Sequence, residues 1–185
     1  MPARLPKHSC DTHLHVFGDP DIYPASNPNA LYQPPRDCSF AAMQRLHAAL
    51  GIERAVLVQP TVYGTDHRVL HDVLKDAPKG KYRGVAIVDD SVGNAELQRL
   101  HDVGVRGARF NFGGNFKLAP SVSTLRRSLD RIGELGWFAK HGHSDYGVEH
   151  QLARVALLER YVPDRQARDR VLVDNPARFF GFDRA

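Results

Sequence analysis

Two hydrophobic periods take turns along the chain, and the switch between them repeats. Ser9-Cys10-Asp11-Thr12-His13-Leu14-His15-Val16-Phe17 reads as a first strand. From Gly18 to about Asp37 the chain carries Pro20, Pro24, Pro28, Pro34 and Pro35, which predicts a loop. Ser39 opens a helical pattern with Phe40, Met43, Leu46 and Leu50 as one apolar stripe, and Gly51 ends it. Arg54-Ala55-Val56-Leu57-Val58-Gln59 is nearly continuous in apolar residues, as a strand buried on both faces reads. Thr65 or Asp66 caps a helix through Val69, Val73 and Leu74 to Ala77, and Tyr82 to Val88 is a third strand. Asn94 to His101 is a helix stopped by Gly104, and Val105-Arg106-Gly107-Ala108-Arg109-Phe110-Asn111-Phe112 is a fourth strand. Ser121 caps a helix to Leu135 with Leu125, Leu129 and Ile132 inward, and Gly136-Trp137-Phe138-Ala139-Lys140 starts a fifth strand. Helices over about 149–160 and 164–173 come next, then Asn175-Pro176-Ala177-Arg178 and an aromatic tail.

Strands alternating with helices through short connections predict an α/β fold with a parallel sheet. Two closures fit that alternation, an open doubly wound sheet and a (β/α)8 barrel. No glycine-rich phosphate turn follows the first strand, which removes the dinucleotide fingerprint. A complete barrel takes about 250 residues, and the chain has 185.

Composition narrows the function classes. Hydrophobic residues make up 42%, enough for a core. No apolar run approaches about 18 residues, so no transmembrane helix is expected. The start, MPARLPKHSCDTHLH, lacks the apolar stretch of a secretory signal. With Cys10 and Cys38 as the two cysteines, a disulfide scaffold is not expected and the cytoplasm is the default location. The net charge of +4 is spread along the chain without a Lys/Arg block or a nucleic-acid motif, so a small anionic substrate is favoured over nucleic acid.

The sharpest chemical feature is His13-Leu14-His15. On a strand, residues i and i+2 share a face, so both imidazoles point together near the C-terminal end of the first strand, where α/β active sites sit. Such a pair suits a divalent metal, or hydrogen bonds to a substrate carbonyl. Arg109, late in the fourth strand and facing away from Arg106, presents a fork that matches a carboxylate, either of a substrate or of a buried acid. Gln59, ending the second strand, suits either a substrate contact or the capping of a loop. His67 and His71 stand at a spacing that can hold a metal, but in an ordinary amphipathic helix. His141-Gly142-His143 is a second pair of this kind, with Asp145 close behind it as a candidate base.

The segment Asp11-Thr12-His13-Leu14-His15-Val16-Phe17-Gly18 resembles the strand-one signature of the amidohydrolase superfamily, in the branch around 2-pyrone-4,6-dicarboxylate lactonase. Val58-Gln59-Pro60-Thr61 with Gly64-Thr65-Asp66-His67-Arg68, Leu100 through Phe112, and Leu172-Val173-Asp174-Asn175-Pro176-Ala177-Arg178 resemble the same branch, in the same order. The resemblance covers about 8–140 and about 150–182. It implies a (β/α)8 barrel hydrolysing small carboxylate-bearing lactones or esters, with His13 and His15 as catalytic residues that polarise a carbonyl or hold Zn2+ or another divalent metal. Some members need no metal. Arg109 then grips a substrate carboxylate. Where the branch has a second arginine this chain has Asn115, with Lys117 nearby as a partial replacement. The branch's middle strands, including the one that carries the base, have no counterpart. His141 to Tyr146 reads as the remnant just after the lost base-bearing strand, and Asp145 is the base candidate within it. The expectation is therefore one domain over 1–185, a truncated barrel of about five parallel strands with an internal segment absent around 140–148. Open sheet edges predict self-association into a homo-oligomer. Two alternatives stand beside the hydrolase: an inactive derivative that binds a carboxylate ligand or a partner, and a metal-dependent decarboxylase or amidohydrolase of the same superfamily.

Overall fold

The structure, a computed structural model, describes residues 5–30, 32–111, 120–142 and 164–182. Five strands, β1 (Cys10–Leu14), β2 (Arg54–Val58), β3 (Tyr82–Ile87), β4 (Val105–Asn111) and β5 (Phe138–Gly142), form one sheet in the order β1-β2-β3-β4-β5, every pair parallel. Helices α1 (Phe40–Leu50), α2 (Arg68–Asp76), α3 (Asn94–Asp102) and α4 (Val122–Glu134) make the successive crossovers. Sequential parallel neighbours joined by helices are the arrangement of a (β/α)8 barrel over its first five strands, a half-barrel.

One face of the sheet packs on the helices. Ala55, Leu57, Ala86, Val88, Ala108 and Phe110 meet Leu70, Leu74, Leu97, Leu100 and Ile132 in the main core. All five residues of β2 are buried, as its continuous apolar run predicts. Two helix stripes differ from the expected ones. In α1 the buried position is His47, while Leu46 is exposed. The fault is geometric, because seven residues after Phe40 on a helix of 3.6 residues per turn comes position 47, not 46. In α4 Leu129 is likewise exposed, and Ser128 is buried beside Ile132. Ser39 caps α1 by accepting the Ala42 N–H, and Gly51 closes it in the left-handed region at φ 76°.

The inner face, which in a closed barrel would line the interior, is covered here by the C-terminal segment. Helix α5 (Arg165–Asp169) runs through a π-helical turn, Arg170–Asp174, into α6 (Asn175–Phe180). The sequence pattern predicts a helix ending near 173. The helix instead continues through Pro176, whose missing N–H the wider turn accommodates, with Asn175 donating to the Arg170 carbonyl. Ala177 and Phe182 pack with Cys10, Val56, Val58 and Val85. Arg83 donates to the Gly181 carbonyl at 2.6 Å and Arg54 to the Val173 carbonyl at 3.1 Å. The Phe182 ring lies 5.3 Å from the Arg54 guanidinium and 4.9 Å from that of Arg83. Burial pushes the Cys10 thiol up to about 12, so it stays protonated within this core. No helix among the described residues is long and apolar enough to cross a membrane.

Candidate active site

The first strand is shorter than its pattern, ending at Leu14, and it contains an extra residue. Asp11 pairs with Ala55 and Leu14 with Leu57, so three steps on β1 match two on β2. This bulge puts Thr12 and His13 together on the inner side, while Asp11 and Leu14 face the helices. Asp11 ties the bulge: one carboxylate oxygen accepts the His13 N–H at 3.1 Å and the other meets His47 Nε2 at 3.3 Å. His15 follows just beyond the strand. The two imidazoles meet edge to face, centroids 5.2 Å apart and planes at 83°. His15 Nδ1 lies 2.6 Å from the Val58 carbonyl oxygen. A carbonyl only accepts, so Nδ1 carries a proton, and the acceptor nitrogen of the corresponding neutral tautomer is Nε2.

Arg109 is 2% exposed, standing late in β4 on the inner side. Its Nε donates to Asn111 Oδ1 at 2.7 Å and its Nη1 to the Gln59 carbonyl at 3.4 Å. His15 and Arg109 thus grip consecutive carbonyls, those of Val58 and Gln59, at the end of β2. Because an arginine only donates, the Asn111 amide is oriented with its oxygen toward the guanidinium. Its Nδ2 is buried without a hydrogen-bond partner among the described residues. Arg106, by contrast, turns to the helix side and donates to the His101 carbonyl.

The Gln59 side chain is committed to a loop. Nε2 donates to the carbonyls of Gly64 (2.7 Å) and Asp66 (3.1 Å), and Oε1 accepts the Ile87 N–H (3.4 Å). Of its two readings this is the loop-capping one. His67 is buried between Glu96 Oε1 and the Ile87 carbonyl, and His71 pairs with Asp72 instead. The Arg99 guanidinium, with His67 behind it, holds the Glu96 carboxyl below its ordinary range. Asp145, Asn115, Lys117 and His143 lie outside the described residues, as does the internal segment around 140–148 beyond Gly142.

Two cavities flank these groups. One of about 490 Å3 opens at the ends of β3 and β4, lined by Arg109, Asn111, Asp89, Ser91, Thr65 and Asn27 among others. The other, about 900 Å3, lies between the inner face and the C-terminal segment and is lined by His13, Thr12, Phe138, Lys140, Asn175 and Phe180 among others. The structure therefore brings His13 to His15, and Arg109 to Asn111, and it joins the two groups through the end of β2. Lys140 is the residue that sequence reasoning missed. It pairs in register with Arg109, and the inner-face column it belongs to is visible only once β4 and β5 are aligned. As metal donors, His13 and His15 stand alone: no group of three or more His, Cys, Asp or Glu fit to hold an ion occurs among the described residues. A catalytic zinc takes three protein ligands, so the described donors do not complete such a site.

The family model described as amidohydrolase matches residues 10–146. A 2-pyrone-4,6-dicarboxylate hydrolase of Comamonas testosteroni is 42% identical over 134 residues, covering 72% of this chain and 43% of that protein. A 4-sulfomuconolactone hydrolase of Hydrogenophaga intermedia is 34% identical over 136 residues, with the same coverage of 72% and 43%. Among solved structures, a candidate 2-pyrone-4,6-dicarboxylic acid hydrolase from Pseudomonas putida superposes with a TM-score of 0.61 at 33% identity. That match covers 74% of this chain and 49% of that one. The chain thus spans about half, or less, of the length of the relatives it matches.

Proposed function

The chain belongs to the amidohydrolase family, and from that premise we propose that it hydrolyses a small carboxylate-bearing lactone or ester of the 2-pyrone-4,6-dicarboxylate kind. The observation that carries this reading is the His13–His15 pair at the end of β1, set across β2 from the buried Arg109. Hydrolysis adds water to the lactone carbonyl, breaks the ring C–O bond and returns the proton to the departing oxygen. Arg109 offers a buried, permanently charged fork that orients a substrate carboxylate. Gln59, through its hold on the loop from Gly64 to Asp66 and its own carbonyl under Arg109, shapes the same mouth. His13 faces the inner cavity and donates toward the carbonyl oxygen as charge develops there. His15, with Nδ1 held by Val58, presents Nε2 as an acceptor for the proton of the attacking water. Asp145 is the carboxylate candidate for the same task. Asn115 and Lys117 are candidates for further substrate contacts. Among the described residues, the two imidazoles fall short of the three protein ligands of a catalytic Zn2+. The setting we infer is the cytoplasm. β1 and β5 each pair on one side only among the described residues, which supports self-association.

Arg109→Lys keeps the charge and loses the fork. The expected result is a rise in KM for 2-pyrone-4,6-dicarboxylate of about tenfold or more, with a lower melting temperature because the buried hydrogen bonds to Asn111 and the Gln59 carbonyl are lost. Unchanged KM in both Arg109→Lys and Arg109→Ala would overturn the assignment. Ligand-induced stabilisation without turnover would instead mark a carboxylate-binding derivative of the family.

A further inference from the structure

We propose that Lys140 is the second cation of the substrate site, reading the second anionic group of a small dianion while Arg109 holds the first; this rests on the lactone reading above. The register of β4 and β5 pairs Arg109 with Lys140 and Gly107 with Phe138. Register partners on neighbouring parallel strands share a face. The Gly107–Phe138 pair shows which face it is. A Cβ at Gly107 would lie 2.6–2.8 Å from three atoms of the Phe138 ring, so that ring lies across the glycine, and Phe138 lines the inner cavity. Lys140, two residues on, projects on the same side and lines the same cavity, which also holds His13.

Lys140 is therefore the register neighbour of Arg109, which lines the cavity at the ends of β3 and β4, and it lines the inner cavity together with His13. Neighbouring strands are about 4.8 Å apart, so the Arg109 and Lys140 side chains leave the sheet side by side, a spacing suited to two anionic groups on one small ring. A planar dianion bridging Arg109 and Lys140 would lay its ring along the inner face toward the imidazoles. The Phe138 ring is a flat apolar neighbour for it, and Asn111 Nδ2 adds a donor without a described partner beside Arg109. A monoanion needs Arg109 alone.

The test is calorimetric titration of the full chain with 2-pyrone-4,6-dicarboxylate and with 2-pyrone-6-carboxylate. Lys140→Gln is expected to weaken the dicarboxylate roughly ten- to hundredfold and to leave the monocarboxylate within about twofold. Lys140→Arg restores most of the loss, and Lys140→Met, which keeps the stem, behaves as Lys140→Gln. Equal affinity of wild type and Lys140→Gln for the dicarboxylate, or equal losses for both ligands, overturns the role of Lys140 while leaving the lactone reading standing. Wild-type protein that binds neither ligand at millimolar concentration overturns both.

Discussion

Replacing Phe182 by alanine probes the feature that sets this half-barrel apart, the C-terminal segment lying over the inner face. Phe182 is 5% exposed and packs with Cys10, Val56, Val58, Val85 and Ala177. Truncating a buried phenylalanine costs about 3–5 kcal/mol, the lost contacts with Arg54 and Arg83 included. At about 2–4 °C per kcal/mol for a chain of this size, 3–5 kcal/mol lowers the melting temperature by roughly 6–20 °C. Phe179 is the control. It is 63% exposed near the end of α6, three residues before Phe182, and its alanine variant should change stability by no more than about 1 kcal/mol. Urea unfolding at fixed protein concentration measures both. If Phe182→Ala did not move the midpoint, the inner face would not be held by this segment. The account of the second cavity, bounded on one side by that segment, would then fail with it.

Two further perturbations arise from particular contacts. Gly107→Ala drives a methyl into the Phe138 ring and should destabilise by about 1–3 kcal/mol, whereas Gly133→Ala, with nothing within 4 Å of the added carbon, should stabilise by about 0.4–1 kcal/mol; thermal melts in which both variants moved the same way would contradict the packing. Glu96 has its carboxyl held below the ordinary 4.5 by Arg99 and His67. Its folded pKa lies under its unfolded one, so its stabilising contribution is present above pH 4.5 and is lost as pH falls through the folded value. The stability difference between wild type and Glu96→Gln should be flat from about pH 7 to 5.5 and shrink below about 4.5; a difference independent of pH down to about 3 would refute the pairing.

What the sequence made legible was what local spacing encodes. Strand–helix alternation gave a parallel sheet of about five strands, the family resemblance gave its barrel order, and His13 and His15 were expected to meet because residues i and i+2 share a strand face. They do meet, although through a bulge that only the alignment of β1 on β2 reveals. Arg109 was legible as a cation facing away from Arg106. Gln59 was not decided, since an amide at a strand end suits a ligand and a loop equally until its carbonyl partners are known. Apolarity alone misplaced the α1 stripe, because the position that geometry buries carries a histidine held by Asp11 from another element. The helix through Pro176 was hidden because a proline reads as a stop, and the π turn that admits it has no sequence signature. Lys140 was hidden for the same kind of reason: its meaning lies in its register with Arg109, and register is a property of the sheet.

The most direct measurement is the loss of ultraviolet absorbance of 2-pyrone-4,6-dicarboxylate on adding the 185-residue chain, as wild type and as His15→Ala. The account predicts ring opening by the wild type and a rate at least about a hundredfold lower for His15→Ala, with the fold retained. Equal rates for the two proteins, or no ring opening by the wild type, would contradict it.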